Sequence, residues 1–226
     1  MTSFVLKIVA IITMFIDHLG YAVFNRLSPL NYIGRIAFPI FAFQISEGYV
    51  HTKDVRKYLV RLFIFALISQ IPFYLFLNKF LNNSGLNIFF TLLLGLISII
   101  VFDFIKNKIS DKIGKIVAVI PVICICILGE IINVDYGWWG ILVIFTFYFF
   151  KDKKLKMIIS FVILCVIRYG IQILLYGFSI SYVHRMLYTM FPIILISLYK
   201  GKQGKKMKYF CYLFYPIHLL LLYILF

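Results

Sequence analysis

Apolar runs close to 20 residues long divide almost the whole chain, and short polar segments separate them. A helix of about 20 apolar residues matches the hydrocarbon core of a bilayer, because each helical residue adds about 1.5 Å. The pattern predicts a helical membrane protein and leaves no room for a soluble domain. The predicted spans cover residues 4–24, 31–50, 59–78, 87–105, 116–133, 137–150, 157–177, 183–199 and 209–226.

The composition agrees with this prediction. Of 226 residues, 63% are hydrophobic and only 14% are charged, and the mean hydropathy is +1.01. A soluble domain of this size carries more charged residues. We therefore predict an all-α fold, a polytopic bundle of about nine transmembrane helices joined by short loops. Residues 1–226 form a single integral membrane domain in this prediction.

The net charge of +15 comes mostly from four of the predicted loops. These loops follow spans two, four, six and eight, and together they hold 16 Lys and Arg residues. Basic loops stay on the cytoplasmic side, so the N-terminus is predicted to be cytoplasmic and the C-terminus external. Topology accounts for the charge, and we expect no nucleic-acid partner. The basic loops are residues 51–58, 106–115, 151–156 and 200–208.

The first span contains "ITMFIDHLGY", in which Asp17 and His18 interrupt an apolar helix. The span lacks a small-residue cleavage site, so we expect it to be retained instead of removed as a signal peptide. An ionisable side chain within the bilayer costs at least ~2.5 kcal/mol and is usually paired or faces a wet cavity. At about 1.5 Å per residue, Asp17 and Arg35 come to similar depth on sequential spans. We predict that they pair, with His18 beside them.

Histidine titrates near neutral pH, and a neighbouring carboxylate can make it a usable general base. Adjacent helical residues point about 100° apart, so Asp17 either orients His18 or instead holds Arg35. Structural ion pairs are the alternative for such residues, and His218 in "FYPIHLL" is more typical of a packing histidine. The sequence has no helical spacing of metal ligands and no phosphate-binding Gly-rich loop, so we predict no metal site.

Several long motifs resemble one known family. They are "LKIVAIITMFIDHLGY", "IGRIAFPIFAFQISEGYVHTKDVRKYLVRLFIFALISQIPF", "NIFFTLLLG", "YGWWGILV" and "KYFCYLFYPIHLL". These motifs are spread over nearly the whole chain, which resembles the TraX family of integral membrane proteins. The resemblance implies acetyltransferase activity, because the namesake of the family acetylates the N-terminal amine of a conjugative pilin. It also implies a relation to transmembrane acyltransferases that use a histidine in an early span.

Carried over to this sequence, the resemblance implies that His18 is the catalytic base, with Asp17 adjacent. Arg35 or Arg168 would stabilise the charge that develops on the thioester oxygen, and Glu47 would support the site. The implied donor is acetyl-CoA, the acyl-donor substrate. The implied acceptor is a molecule of the cell envelope, either a pilin N-terminus or a glycan, and the implied location is a bacterial plasma membrane.

Two further groups of residues enter this hypothesis. Cations at the inner face would bind the phosphates of acyl-CoA, although positive-inside topology alone also explains them. Aromatic residues of "YGWWG" would line the acceptor side, although interfacial anchoring is the alternative. The predicted donor-side residues are Lys53, Arg56, Lys57 and Arg61, and the predicted acceptor-side residues are Tyr136, Trp138 and Trp139.

Two other classes of protein fit the same sequence. Buried Asp, Glu, His and Arg residues also mark proton-coupled transporters, which often show two similar halves with broken helices. The sequence shows no such internal repeat. A non-catalytic membrane subunit for envelope assembly is the third interpretation. Turnover of labelled acetyl-CoA would separate the enzyme from both alternatives.

Overall fold

The computed structural model describes residues 1–24, 28–82, 84–109 and 112–226, with only the backbone at 112 and 113. Within these residues the regular secondary structure is helical, apart from one isolated bridge between Leu86 and Val134. The helices are α1 (Ser3–Phe24), α2 (Pro29–Gly34), α3 (Ala37–His51), α4 (Val55–Leu81), α5 (Ile88–Lys108), α6 (Lys112–Val117), α7 (Val119–Ile131), α8 (Gly137–Phe149), α9 (Lys154–Tyr176), α10 (Ile180–Met190), α11 (Pro192–Ser197) and α12 (Lys208–Leu225).

Seven helical segments of the described chain are long and apolar enough to cross a membrane. Two of them combine short helices, α6 with α7 and α10 with α11. The predicted all-α polytopic bundle is therefore confirmed, and the molecule is a multi-pass membrane protein. The seven segments are Ser3–Phe24, Val55–Leu81, Ile88–Lys108, Gly114–Ile131, Lys154–Tyr176, Ile180–Ser197 and Lys208–Leu225.

The other two predicted spans also coincide with helices, but these helices are shorter. Residues 31–50 divide into α2 and α3, because the helix ends at Gly34 and resumes at Ala37 with Arg35 between them. Helix α8 has 13 residues and so rises only about 20 Å. Nine of its 13 residues are buried, and it packs against α3, α5, α7 and α9. It is therefore an interior helix of the bundle.

Contacts between chain ends show that the basic segments gather at one end of the bundle, which we call the basic end. The backbone N–H of Ser3 donates to the Lys202 carbonyl oxygen at 2.9 Å, and the Lys154 ammonium contacts the Ser197 carbonyl. At the opposite end, the Lys79 ammonium donates to the Tyr223 carbonyl oxygen at 2.9 Å. These contacts agree with the predicted topology, in which basic loops at one end of the bundle alternate with less basic connections at the other. Part of the basic loop 106–115 lies outside the described residues.

The loop before α4 carries a helix cap at the basic end. The Asp54 carboxylate accepts a hydrogen bond from the backbone N–H of Lys57 at 3.0 Å. This hydrogen bond lowers the pKa of the Asp54 carboxyl, and the Lys57 ammonium acts in the same direction. The cap starts α4, which packs along α5 and α12.

Candidate functional site

A cavity of about 290 Å³ lies toward the end of the bundle opposite the basic end. Its wall is formed by α1, α2, the first turns of α3, the last turns of α4, the segment from 84 to 88 that leads into α5, and the loop before α8, with Tyr215 of α12. We call it the charged cavity, because four ionisable side chains of the predicted site or its neighbourhood line it. These are Asp17, His18, Arg35 and Asp135.

The predicted pair of Asp17 and Arg35 is confirmed. The Arg35 Nη2 atom donates to both carboxylate oxygens of Asp17, at 3.0 and 2.9 Å. The Arg35 Nε atom donates to the carbonyl oxygen of Asn31 at 3.2 Å. Its other terminal nitrogen, Nη1, has no hydrogen bond within the described ranges. The pair neutralises two charges that would be costly in the bilayer, and it leaves the two N–H bonds of Nη1 unused.

Asn31 holds this pair in place from α2. Its side-chain amide donates to the backbone carbonyl of Asp17 at 2.8 Å and to the carboxylate at 3.1 Å. Its side-chain oxygen accepts from both the backbone and the hydroxyl of Ser28, the N-cap of α2. Asn31 is fully buried and uses its donors and its acceptor. Sequence reasoning missed this residue, although "SPLN" is typical of a capped helix start.

Gly34 lets α2 approach α1 closely at the same point. A Cβ atom at residue 34 would lie 2.2 Å from the Cβ atom of Asp17 and 2.4 Å from its carboxylate. Only glycine fits at this distance without a shift of one helix. The close approach explains how Arg35, the residue that follows, reaches the carboxylate.

His18 has a different partner from the one that its sequence neighbour suggests. Its Nδ1 atom lies 2.8 Å from Nε2 of His218, while no hydrogen bond joins it to Asp17 in the described structure. Of the two alternatives that the sequence leaves open for Asp17, the structure has the one in which its carboxylate holds Arg35, and Asn31 also binds that carboxylate. The ring of Phe76 packs edge-on against His18 at 5.3 Å between centroids.

His218 lies on α12 beside the charged cavity and is buried. Its Nδ1 atom lies 2.7 Å from the carbonyl oxygen of Phe214, one turn earlier in the same helix. The Phe214 ring stacks on the imidazole at 4.8 Å. Sequence reasoning favoured a packing histidine here, because nothing in the sequence indicates that α12 faces α1.

Asp135 is a second carboxylate of the charged cavity, in the loop before α8. The backbone N–H of Asp135 donates to the Leu86 carbonyl oxygen at 2.9 Å, and the Thr91 hydroxyl donates to the backbone carbonyl of Asp135. Burial raises the pKa of the Asp135 carboxyl to about 6, although the guanidinium groups of Arg35 and Arg168 act in the opposite direction. This group therefore changes its charge close to neutral pH.

Arg168 and the two tryptophans lie outside the charged cavity. The Arg168 guanidinium packs over the Trp139 ring at 4.6 Å and donates to the Tyr136 carbonyl at 3.1 Å. Trp139 is buried behind Tyr136, and its indole N–H donates to the Leu164 carbonyl. The backbone N–H of Trp138 donates to the Glu130 carboxylate. Of the predicted acceptor-side residues, only Tyr136 lines the cavity.

A second cavity, of about 490 Å³, lies at the basic end. We call it the basic-end cavity, and three cations from three helices line it, namely Lys7, Arg61 and Lys208. Of the predicted acyl-CoA ligands, only Arg61 is among them. The other three, Lys53, Arg56 and Lys57, are exposed and do not line it, and Lys57 forms an ion pair with Asp54 at 3.3 Å. Lys7 and Lys208 are lining residues that sequence reasoning missed.

Glu47 lies in the basic-end cavity and is not beside His18. Its carboxylate is 3.5 Å from His51, one turn further along α3. Two buried side-chain donors in the same cavity, Gln44 Nε2 and Arg61 Nε, have no hydrogen-bond partner in the described part of the chain. Buried donors are normally satisfied, so these two are available to water or to a polar ligand.

The two cavities share part of their walls. Four side chains line both of them, and they come from α1, α3, α5 and α12. We call this shared wall the partition. The cations of the basic end lie on one side of it, and His18 lies on the other. The shared residues are Met14, Phe41, Ile88 and Tyr215.

Fold and cavities together define a multi-pass helical membrane protein with two cavities that contain charged side chains and share four lining residues. The family described as TraX protein matches residues 3–226. The chain therefore belongs to the TraX family, as its motifs suggest.

Two curated relatives are similar to this chain. "Probable fimbrial assembly protein FimC, serogroup H1" of Dichelobacter nodosus is 28% identical over 98% of this chain and 94% of that protein. "Uncharacterized protein RP591" of Rickettsia prowazekii (strain Madrid E) is 35% identical over 47% of this chain and 38% of that protein. No solved structure matches the chain.

Proposed function

We propose that this protein transfers an acetyl group from acetyl-CoA to an amine or hydroxyl acceptor across the membrane, with His18 as the general base. The observation that carries the proposal is the pair of cavities that share one partition. A donor cavity at the basic end and a charged cavity with a histidine toward the opposite end match the two substrates. The TraX family membership supports the same chemistry.

The donor occupies the basic-end cavity in this proposal. Lys7, Arg61 and Lys208 bind the phosphates of acetyl-CoA, because cations form strong hydrogen bonds with phosphate oxygens. The free donors of Gln44 and Arg61 bind polar groups of the same molecule. The thioester end then lies at the partition, beside Met14 and Tyr215.

The acceptor enters the charged cavity from the other end. His18 takes a proton from the acceptor N–H or O–H group as that atom attacks the thioester carbonyl carbon. The new C–N or C–O bond forms, the C–S bond breaks, and the thiolate of CoA leaves. The imidazolium of His18 returns the proton to that thiolate, so the protein ends in its starting state.

Arg35 stabilises the negative charge that develops on the carbonyl oxygen. Asp17 and Asn31 hold its guanidinium, and its Nη1 group remains available beside the cavity. Arg168 does not serve here, because it packs against Trp139 and donates to the Tyr136 carbonyl. Asp17 therefore acts through Arg35 as a positioning residue.

The acceptor is a component of the cell envelope, and we favour a pilus subunit. The full-length similarity to a protein described as a fimbrial assembly protein supports this choice. A surface glycan hydroxyl is the other acceptor class. Tyr136 and Asp135 are the residues that the acceptor would meet in the charged cavity. The basic end faces the cytoplasm and the protein resides in the bacterial plasma membrane, surrounded by lipid.

A proton-coupled transporter is the second candidate. Two cavities that approach a partition from opposite ends also suit alternating access, and Asp135 titrates near neutral pH. A transporter would move a solute into liposomes under a proton gradient without consuming acetyl-CoA. An acetyltransferase would consume acetyl-CoA with no gradient present.

Membrane vesicles that contain the protein provide the test. With radiolabelled acetyl-CoA on the basic side, we expect label in envelope material only when active protein is present. Protease-sensitive label would identify a polypeptide acceptor, and label released by mild base would identify an ester on a glycan. Vesicles with well-folded protein and no labelled product would reject the proposal.

A further inference from the structure

We propose that His218 is a positioning residue that fixes the tautomer of His18, so that the basic nitrogen of His18 is Nε2. The geometry that points to it is a chain of two contacts, from a backbone carbonyl through His218 to His18. The assignment of the tautomer stands on this geometry alone. Its consequence for catalysis rests on the proposed acetyltransferase function.

The first of the two contacts involves a backbone carbonyl oxygen, which can only accept a hydrogen bond. The carbonyl oxygen of Phe214 lies 2.7 Å from Nδ1 of His218, so Nδ1 must carry the hydrogen. A neutral imidazole has one N–H group and one lone pair. The Nε2 atom of a neutral His218 is therefore an acceptor.

The second contact fixes which ring nitrogen of His18 is the donor. Nε2 of His218 lies 2.8 Å from Nδ1 of His18, so Nδ1 of His18 must be the donor. His18 then carries its lone pair on Nε2. Its ring lines the charged cavity, and Nε2 has no hydrogen-bond partner among the described residues. The lone pair is thus left free for an acceptor proton.

The surroundings hold His218 in this orientation. Its side chain is 3% exposed, the Phe214 ring stacks on it, and Phe15 of α1 packs edge-on at 6.1 Å between centroids. A flipped ring would present a carbon atom to the Phe214 carbonyl and lose a buried hydrogen bond. The neutral His218 also accepts from the imidazolium form of His18, which stabilises the proton that the base takes up.

A carboxylate usually orients a catalytic histidine, but the neighbouring Asp17 is held by Arg35 and Asn31. His218 performs that task here without adding a negative charge to a membrane-embedded site. This explains why two histidines that are 200 residues apart lie in contact within the bundle.

Nitrogen NMR of protein labelled with 15N-histidine tests the assignment directly. The chain has four histidines, so single substitutions assign each signal. We expect His18 to appear as the Nδ1–H tautomer in the native protein. The change His218→Leu should turn this signal into a mixture of tautomers, whereas His218→Gln keeps an acceptor oxygen and should retain Nδ1–H. An Nε2–H tautomer in the native protein, or no change with His218→Leu, would overturn the proposal.

Kinetics separate a positioning role from simple packing. We expect His218→Leu to lower kcat about 10- to 100-fold with the KM for acetyl-CoA unchanged, and His218→Gln to recover most of the rate. Equal losses in both variants would refute the catalytic part. The exposed His184, on α10, gives the control His184→Leu, which should leave both constants unchanged. A native protein without acetyl transfer would refute the proposed function and leave the NMR result to decide the tautomer.

Discussion

Three hydrogen bonds hold the carboxylate of Asp17, two from Arg35 and one from Asn31. At the scale of single residues, this arrangement changes the meaning of the Asp17–His18 motif. The two neighbours have separate tasks, because Asp17 fixes the guanidinium and His18 faces the cavity with His218 behind it. The motif provides two functions from one helical turn.

Removal of one partner of the ion pair should be costly. The change Asp17→Asn leaves the buried Arg35 without a counter-charge, and we expect a loss of about 3 kcal/mol in the free energy of unfolding. The double change Asp17→Leu with Arg35→Met removes both charges and should recover most of that stability. Denaturant unfolding in detergent, followed by tryptophan fluorescence, measures both.

Activity distinguishes the catalytic use of this pair from its structural use. The double variant should remain inactive even though it is stable, because the donor to the thioester oxygen is gone. An active double variant would show that Arg35 contributes only to folding.

At the scale of the helices, the break between α2 and α3 positions the charged cavity. The helix ends at Gly34, Arg35 follows at the break, and α3 continues from Ala37. In a single straight helix over 31–50, the helical position of Arg35 alone would set the direction of its side chain. The capped, Pro-led start of α2 and the close approach at Gly34 bring it to Asp17 instead.

The change Gly34→Ala tests this arrangement. The added Cβ atom would lie 2.2 Å from the Cβ atom of Asp17, so α1 or α2 must move. We expect a loss of about 1–3 kcal/mol of unfolding free energy and reduced acetyl transfer. The matched control is Gly170→Ala in α9, where a Cβ atom meets nothing within 4 Å. Alanine there should be neutral or slightly stabilising, and equal effects at the two positions would contradict the argument.

The sequence predicts those features of the structure that depend on the periodicity of apolar residues and on the depth of a residue along its span. The helical bundle, the basic end and the pair of Asp17 and Arg35 all follow from span length and from about 1.5 Å of rise per residue. Contacts between distant helices do not follow, because side-chain direction around a span and the order of helices in the bundle are set by packing. The contact of His218 with His18 and the place of Lys208 in the basic-end cavity are therefore not predicted. Lys53, predicted as a ligand of the acyl-CoA phosphates, lines neither cavity.

At the scale of the whole molecule, the two cavities account for the charged side chains that lie inside an otherwise apolar bundle. Helices α1, α3, α5 and α12 each contribute one residue to the wall that the two cavities share. The three cations of the basic-end cavity lie on one side of this partition. His18 and the ion pair of Asp17 and Arg35 lie on the other.

The reaction of the purified protein with acetyl-CoA tests most directly the proposal that His18 is the general base of an acetyltransferase. We would measure acetyl-CoA binding and the release of free CoA in detergent, for the native protein and for His18→Ala, with His184→Ala as the control. We expect slow hydrolysis by the native protein and the control, and a loss of at least about 100-fold in His18→Ala with binding retained. Absence of acetyl-CoA binding by the well-folded native protein, or undiminished hydrolysis by His18→Ala, would contradict it.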